Sequence, residues 1–84
     1  MENLEKDIKK IVSKVIKIPE EKIAPDANLF YDLGVDSLLG VEIFAALDKK
    51  YNIDVPEERI RKISTLNDII SLIKEALEGE QKGS

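Results

Sequence analysis

One placement in this chain has the residue types and spacing for covalent chemistry: a serine that begins a helical run directly after an aspartate and just downstream of a glycine turn. In the segment Asn28-Leu29-Phe30-Tyr31-Asp32-Leu33-Gly34-Val35-Asp36-Ser37-Leu38, Ser37 opens an amphipathic stretch, with Asp36 before it and Gly34 marking a turn. A helix N-terminus offers unpaired N–H groups and the positive end of the peptide dipoles, so a phosphodiester on the Ser37 oxygen would sit where an anion is favoured. Asp and Ser are also ordinary helix-capping residues. The tripeptide Asp-Ser-Leu alone therefore decides nothing.

Other chemistries are excluded more firmly. The chain has no Cys, no His and no Trp, which removes thiolate and imidazole catalysis, Cys/His zinc sites, Ser-His-Asp arrangements and disulfides. The acidic loop fails as a calcium site: counted from Asp32, the sixth position is Ser37 where glycine is required, and the twelfth is Ile43 where a bidentate Glu is required. No metal site is expected, and an enzyme would have only scattered carboxylates such as Asp32 and Asp36 to work with.

The elements that must position Ser37 follow from the patterning of 84 residues, 43% of them hydrophobic, enough for one small core. A chain of this size is marginally stable, so no large preformed pocket is expected. Leu4, Ile8, Ile11, Val12 and Val15 form a helical stripe, supported by Glu2/Lys6 and Glu5/Lys9 at i, i+4, and predict a first helix over about residues 3 to 17, ended by Pro19. A long irregular connection follows to about Val35; connections this long are usually functional. The second helix, about Ser37 to Lys50, has two apolar faces. Gly40, Ile43, Phe44, Leu47 and Tyr51 make one; Leu38, Val41 and Ala45 make another about 200° around, bordered by Glu42, Asp48 and Lys49. One stripe suffices for a core, so the second either packs beneath the long loop or is an exposed docking patch. Pro56 begins a short helical segment reaching about Arg61, and Thr65 with Asp68 forms a capping box for a last helix that buries Leu66, Ile69, Ile70, Ile73 and Leu77. Gly79 is expected to stop it. The reading is an all-α bundle of three main helices plus one short one: a domain over 1–78 and a disordered tail over 79–84, whose final Gly-Ser has the look of an expression scar.

Charge is uneven along the chain. The net −4 divides into +2 over residues 1–18, −7 over 19–58 and +1 beyond. The acidic middle would repel a nucleic-acid backbone, and no apolar run approaches the roughly 20 residues that span a bilayer. A basic partner protein fits better. The absence of cysteine and of a secretory leader pattern points to the cytoplasm.

Leu33-Gly34-Val35-Asp36-Ser37-Leu38 resembles the phosphopantetheine attachment motif of acyl carrier proteins. Val41-Glu42-Ile43 with Ala46-Leu47, then Tyr51-Asn52-Ile53-Asp54-Val55-Pro56, then Ile63-Ser64-Thr65-Leu66 resemble later segments of that family in the same order, over about residues 4 to 77. The resemblance implies that a phosphopantetheinyl transferase attaches 4'-phosphopantetheine to Ser37, with Asp36 aiding its recognition. Acyl groups would ride as thioesters on that arm, so the lack of cysteine is no obstacle. It implies a monomer whose Leu38, Val41 and Ala45 contact acyl-transferring, condensing or ligase enzymes with basic docking surfaces, Glu42 and Asp48 meeting their basic residues. Ile43, Phe44 and Leu47 would line the interior where the acyl chain folds back. Independently of the resemblance, the glycine at Gly40, beside Phe44, either permits close helix packing or leaves an entrance for the chain.

Two departures bear on the subtype. Fatty-acid carriers of this family usually have an acidic residue after Asp-Ser-Leu and an acidic end to this helix; here stand Leu39 and the pair Lys49 and Lys50. The expectation is a carrier for a specialised acyl, polyketide or lipid pathway, with housekeeping fatty-acid synthesis as the alternative and D-alanyl or peptidyl transfer behind it. An unmodified helical interaction module is the alternative of another class.

Overall fold

The computed structural model describes residues 4–83, with side chains as far as Glu78. Four α-helices, α1 (Leu4–Ile16), α2 (Ser37–Tyr51), α3 (Glu57–Ile60) and α4 (Leu66–Gly83), are joined by irregular segments, the first of which contains a 3-10 turn at Glu20–Lys22. Helix α1 packs on α2 and α4, and α3 packs on α2. No helix among the described residues is long and apolar enough to cross a membrane.

The stripes meet in one core. Ile8 and Val12 of α1, Ile43, Phe44 and Leu47 of α2, and Leu66, Ile69 and Ile73 of α4 are buried together, with Ile23, Leu29 and Val35 reaching in from the long connection. That connection is therefore anchored at three apolar points. Backbone bonds tie it down as well: Leu29 N–H donates to Ser64 O at 2.7 Å, Asn67 N–H to Pro25 O at 3.0 Å, and Asn28 pairs with Thr65 as an isolated antiparallel bridge. The turn at Asn28 is fixed by its own side chain, whose Oδ1 accepts from the N–H groups of Phe30 and Tyr31, both at 2.9 Å.

Helix ends match the sequence reading in some places and depart from it in others. The capping box forms: Asp68 N–H donates to Thr65 Oγ1 at 3.1 Å, and Thr65 N–H to Asp68 Oδ2 at 3.0 Å. Helix α1 ends at Ile16, ahead of the expected stop, because Lys17 takes a left-handed conformation (φ 62°) and its N–H returns to Ser13 O at 2.8 Å. Pro19 then caps the 3-10 turn rather than terminating α1. Pro56 likewise caps α3 from outside, and α3 runs only to Ile60. Helix α4 continues past Gly79 to Gly83, where a stop and a disordered tail were expected. A helix-interior glycine costs only about 1 kcal/mol relative to alanine, and the Glu, Gln and Lys around it are good helix formers. Glu2, the partner expected for Lys6, and Ser84 lie outside the described residues.

The C-terminus of α2 closes on Asn52, left-handed at φ 56°, and the N–H groups of Asn52 and Ile53 both return to Asp48 O. The Asp48 side chain beside this turn is half-buried, and its Oδ1 is shut off from solvent without a hydrogen-bond partner. Burial first and then the neighbouring Asp54 carboxylate push its pKa above the ordinary 3.8, against a lowering by the Val55 N–H. The Tyr51 hydroxyl is buried without a partner too; burial and then the Asp7 carboxylate push it above its usual 10.0. A carboxyl whose folded pKa is raised binds protons more tightly in the folded state, so its contribution falls as pH climbs from the unfolded value through the folded one. Asp48→Asn should accordingly be more stable than the parent at pH 7, with the gap closing as pH falls through the raised folded value toward about 4. Urea midpoints between pH 3 and 7 measure this; a gap independent of pH, or a less stable Asn variant at neutrality, contradicts it.

Candidate functional site

Ser37 owes its position to three residues before it. Gly34 turns the chain at φ +72°, a conformation that L side chains rarely adopt. Val35, 4% exposed, then plugs into the core, and its N–H donates to Leu29 O at 2.9 Å. Asp36 is the N-cap of α2: its Oδ1 accepts from Leu39 N–H at 2.8 Å, and its backbone O accepts from Gly40 N–H at 3.0 Å. Ser37 is thus the first helical residue and is exposed. The N–H groups of Ser37 and Leu38 have no carbonyl one turn back to bond, which leaves donors beside the hydroxyl.

Beside Ser37 opens a cavity of about 640 Å³. Gly40, Ile43 and Phe44 of α2 line it, facing Leu29 and Val35 of the connection, Ile60 and Arg61 at the end of α3, and Ile63 and Ile69 beyond. The expectation of no sizeable pocket is corrected here. Gly40 leaves the α2 wall of the cavity open: a Cβ built there would meet no atom within 4 Å. Close helix packing therefore does not account for this glycine. Leu47, expected among the lining residues, is instead fully buried in the core between the helices and does not reach the cavity.

The second stripe of α2 is exposed. Leu38 is 68% and Val41 54% exposed, with Ala45 and Glu42 also in solvent, so the stripe does not pack beneath the loop. Asp48 does not join this face, because its carboxyl turns toward the turn at Asp54 and Val55. Lys49 and Lys50 are exposed, the Lys50 Nζ standing 5.9 Å from the Tyr51 ring centroid.

Three residues of this region escaped the sequence reading. Tyr31 is 89% exposed, and Phe30 both lines the cavity and reaches solvent. Two adjacent aromatics in the irregular connection were the available signal. Arg61, at the end of α3, enters the cavity lining through tertiary packing that no local pattern records. Among the described residues no group of three or more acidic side chains could hold a metal ion.

An exposed hydroxyl at a helix start, beside an apolar cavity that a single side chain at Gly40 would begin to fill, fits a covalently attached arm with an apolar cargo. The family profile of the phosphopantetheine attachment site matches residues 6–73. Acyl carrier proteins of Buchnera aphidicola subsp. Acyrthosiphon pisum, strains Tuc7 and 5A, are 40% identical over 74 residues, covering 88% of this chain and 92% of theirs. The solution structure of the apo doublet acyl carrier protein from prodigiosin biosynthesis superposes with a TM-score of 0.77 over 88% of this chain and 36% of that one; at 24% identity it speaks to the fold. The chain belongs to the acyl carrier protein family, whose members are carriers bearing 4'-phosphopantetheine rather than enzymes.

Proposed function

We propose that Ser37 bears the 4'-phosphopantetheine arm, that the cavity beside it shelters the acyl chain, and that Leu38, Val41, Ala45 and Glu42 form the face on which partners dock. The observation that carries this reading is the opening at Gly40, one turn from an exposed serine and continuous with the apolar interior. The arm supplies a thiol that holds acyl groups as thioesters. The protein's own residues do the rest: Asp36 fixes the start of the helix, the free N–H groups favour the phosphodiester, and the cavity walls take alkyl carbons at about 0.8 kcal/mol per buried methylene. Five methylene-sized groups gain roughly 4 kcal/mol before the cost of ordering the arm.

In this reading the carrier is a cytoplasmic monomer that meets a phosphopantetheinyl transferase and acyl-transferring, condensing or ligase enzymes with basic surfaces. It serves a specialised acyl, polyketide or lipid pathway. Support for the pathway comes from Lys49 and Lys50, exposed at the end of α2. They complement the helix dipole by about 0.3–1 kcal/mol, yet they place two positive charges where a basic partner would approach.

Three outcomes test this. Incubation with coenzyme A and a broad-specificity transferase adds one phosphopantetheinyl mass, and Ser37→Ala abolishes it with helicity intact; a modification mapped to Ser13, Ser64 or Ser71 overturns the assignment. Gly40→Leu gains about 0.5–1 kcal/mol of helix stability yet shortens the lifetime of a hexanoyl thioester about tenfold, the equivalent of 1.4 kcal/mol of lost burial; an unchanged lifetime sinks the cavity assignment. Lys49→Glu with Lys50→Glu tightens association with a fatty-acid condensing enzyme, chiefly through a faster on-rate at low salt. Equal elongation by both proteins across salt concentrations makes housekeeping fatty-acid synthesis the better reading.

A further inference from the structure

The cavity is apolar except along one rim. There Glu57 and Arg61 of the α3 region enter the lining that Ser37 enters from α2. Arg61 Nη2 donates to Glu57 Oε2 at 3.3 Å, with the two side chains 77% and 76% exposed. So long and solvated a pair yields to a better acceptor. Arg59 is engaged elsewhere: its Nη2 lies 2.6 Å from Glu75 Oε1 on α4, and it lines a separate smaller cavity. Among the residues lining the larger cavity, Arg61 is the cation, and the fold makes little use of it.

We propose that Arg61 latches the phosphopantetheine arm across the mouth of the cavity, its guanidinium leaving Glu57 to donate to oxygen atoms of the arm. The inference rests on the assignment of Ser37 and concerns how that same site holds its cargo. The arm offers two kinds of oxygen acceptor, an anionic phosphodiester and amide carbonyls, and the planar fork of arginine suits either, the phosphate bidentately. Glu57 competes for the same fork and sets how firmly the latch holds. Closed, the latch keeps the thioester over the apolar walls; opened by a docking partner, it releases the arm. The step is noncovalent, and no bond is made or broken.

The test uses the holo protein loaded with a hexanoyl thioester, together with Arg61→Ala, Arg61→Lys and Glu57→Gln. Mass spectrometry first locates the arm in each. The Arg61 Nε–H resonance should move between the apo and holo proteins. Thioester hydrolysis should quicken roughly three- to tenfold in Arg61→Ala, the scale of a charge-assisted hydrogen bond weakened by solvent. Arg61→Lys should recover part of the protection, and Glu57→Gln should slow hydrolysis below the parent rate. A phosphorus resonance that moves in Arg61→Ala identifies the phosphodiester as acceptor, and movement of the arm's carbonyl carbons identifies its amides. An Arg61 resonance unchanged by arm attachment, or an Arg61→Ala hydrolysis rate equal to the parent's, overturns the latch with Ser37 still assigned. An arm found on another serine overturns both.

Discussion

The site depends on how α2 begins. Because Asp36 Oδ1 accepts from Leu39 N–H, the helix starts at Ser37 and not a residue to either side, and every later α2 side chain takes its direction from that start. A shift of one residue would rotate the helix pattern by about 100°, turning Ile43, Phe44 and Leu47 out of the core. The cap and the buried stripe therefore fix the same register. With the register fixed, the opening at Gly40 falls one turn from Ser37, on the side that faces the cavity.

The start of α2 is in turn held by the connection before it. That segment docks its Leu29 and Val35 into the core and bonds to Ser64 and Asn67 around the start of α4. The cap of α4 is thus part of the support for Ser37. Asp68 Oδ2 accepts from the N–H groups of both Ser64 and Thr65, stiffening the residues on which Leu29 leans. A small protein with few buried contacts gains from such sharing, since one set of hydrogen bonds orders two segments. Electrostatics separates the two faces of α2: the exposed apolar stripe runs beside Glu42, while the ionic rim of the cavity lies across on α3.

The main helices were legible because the spacing of their apolar residues is local information. So were the capping box at Thr65 and Asp68 and the N-cap at Asp36, whose partners lie three residues away. Other features were not legible, each for a definable reason. The bridge between Asn28 and Thr65 joins residues far apart in sequence. Lys17 ends α1 through a backbone conformation that its residue type does not announce. Asp48 and Glu42 border the same stripe in sequence, yet the turn at Asn52 folds the chain back over one and leaves the other in water. The cavity is the clearest case. Small size argues against large pockets, but a missing side chain inside a helix acts against that trend, and its effect depends on what stands opposite.

The central claim is that the cavity beside Ser37 houses the acyl chain while the outer face of α2 stays free for partners. Proton–proton contacts measured by NMR in the protein carrying a carbon-13-labelled hexanoyl chain on its arm address it directly. The account predicts contacts from the chain's terminal methyl and methylenes to Ile43, Phe44, Ile63 and Ile69, and none to Leu38 or Ala45. A chain that touches only the outer face, or gives no contacts beyond the arm, would contradict it.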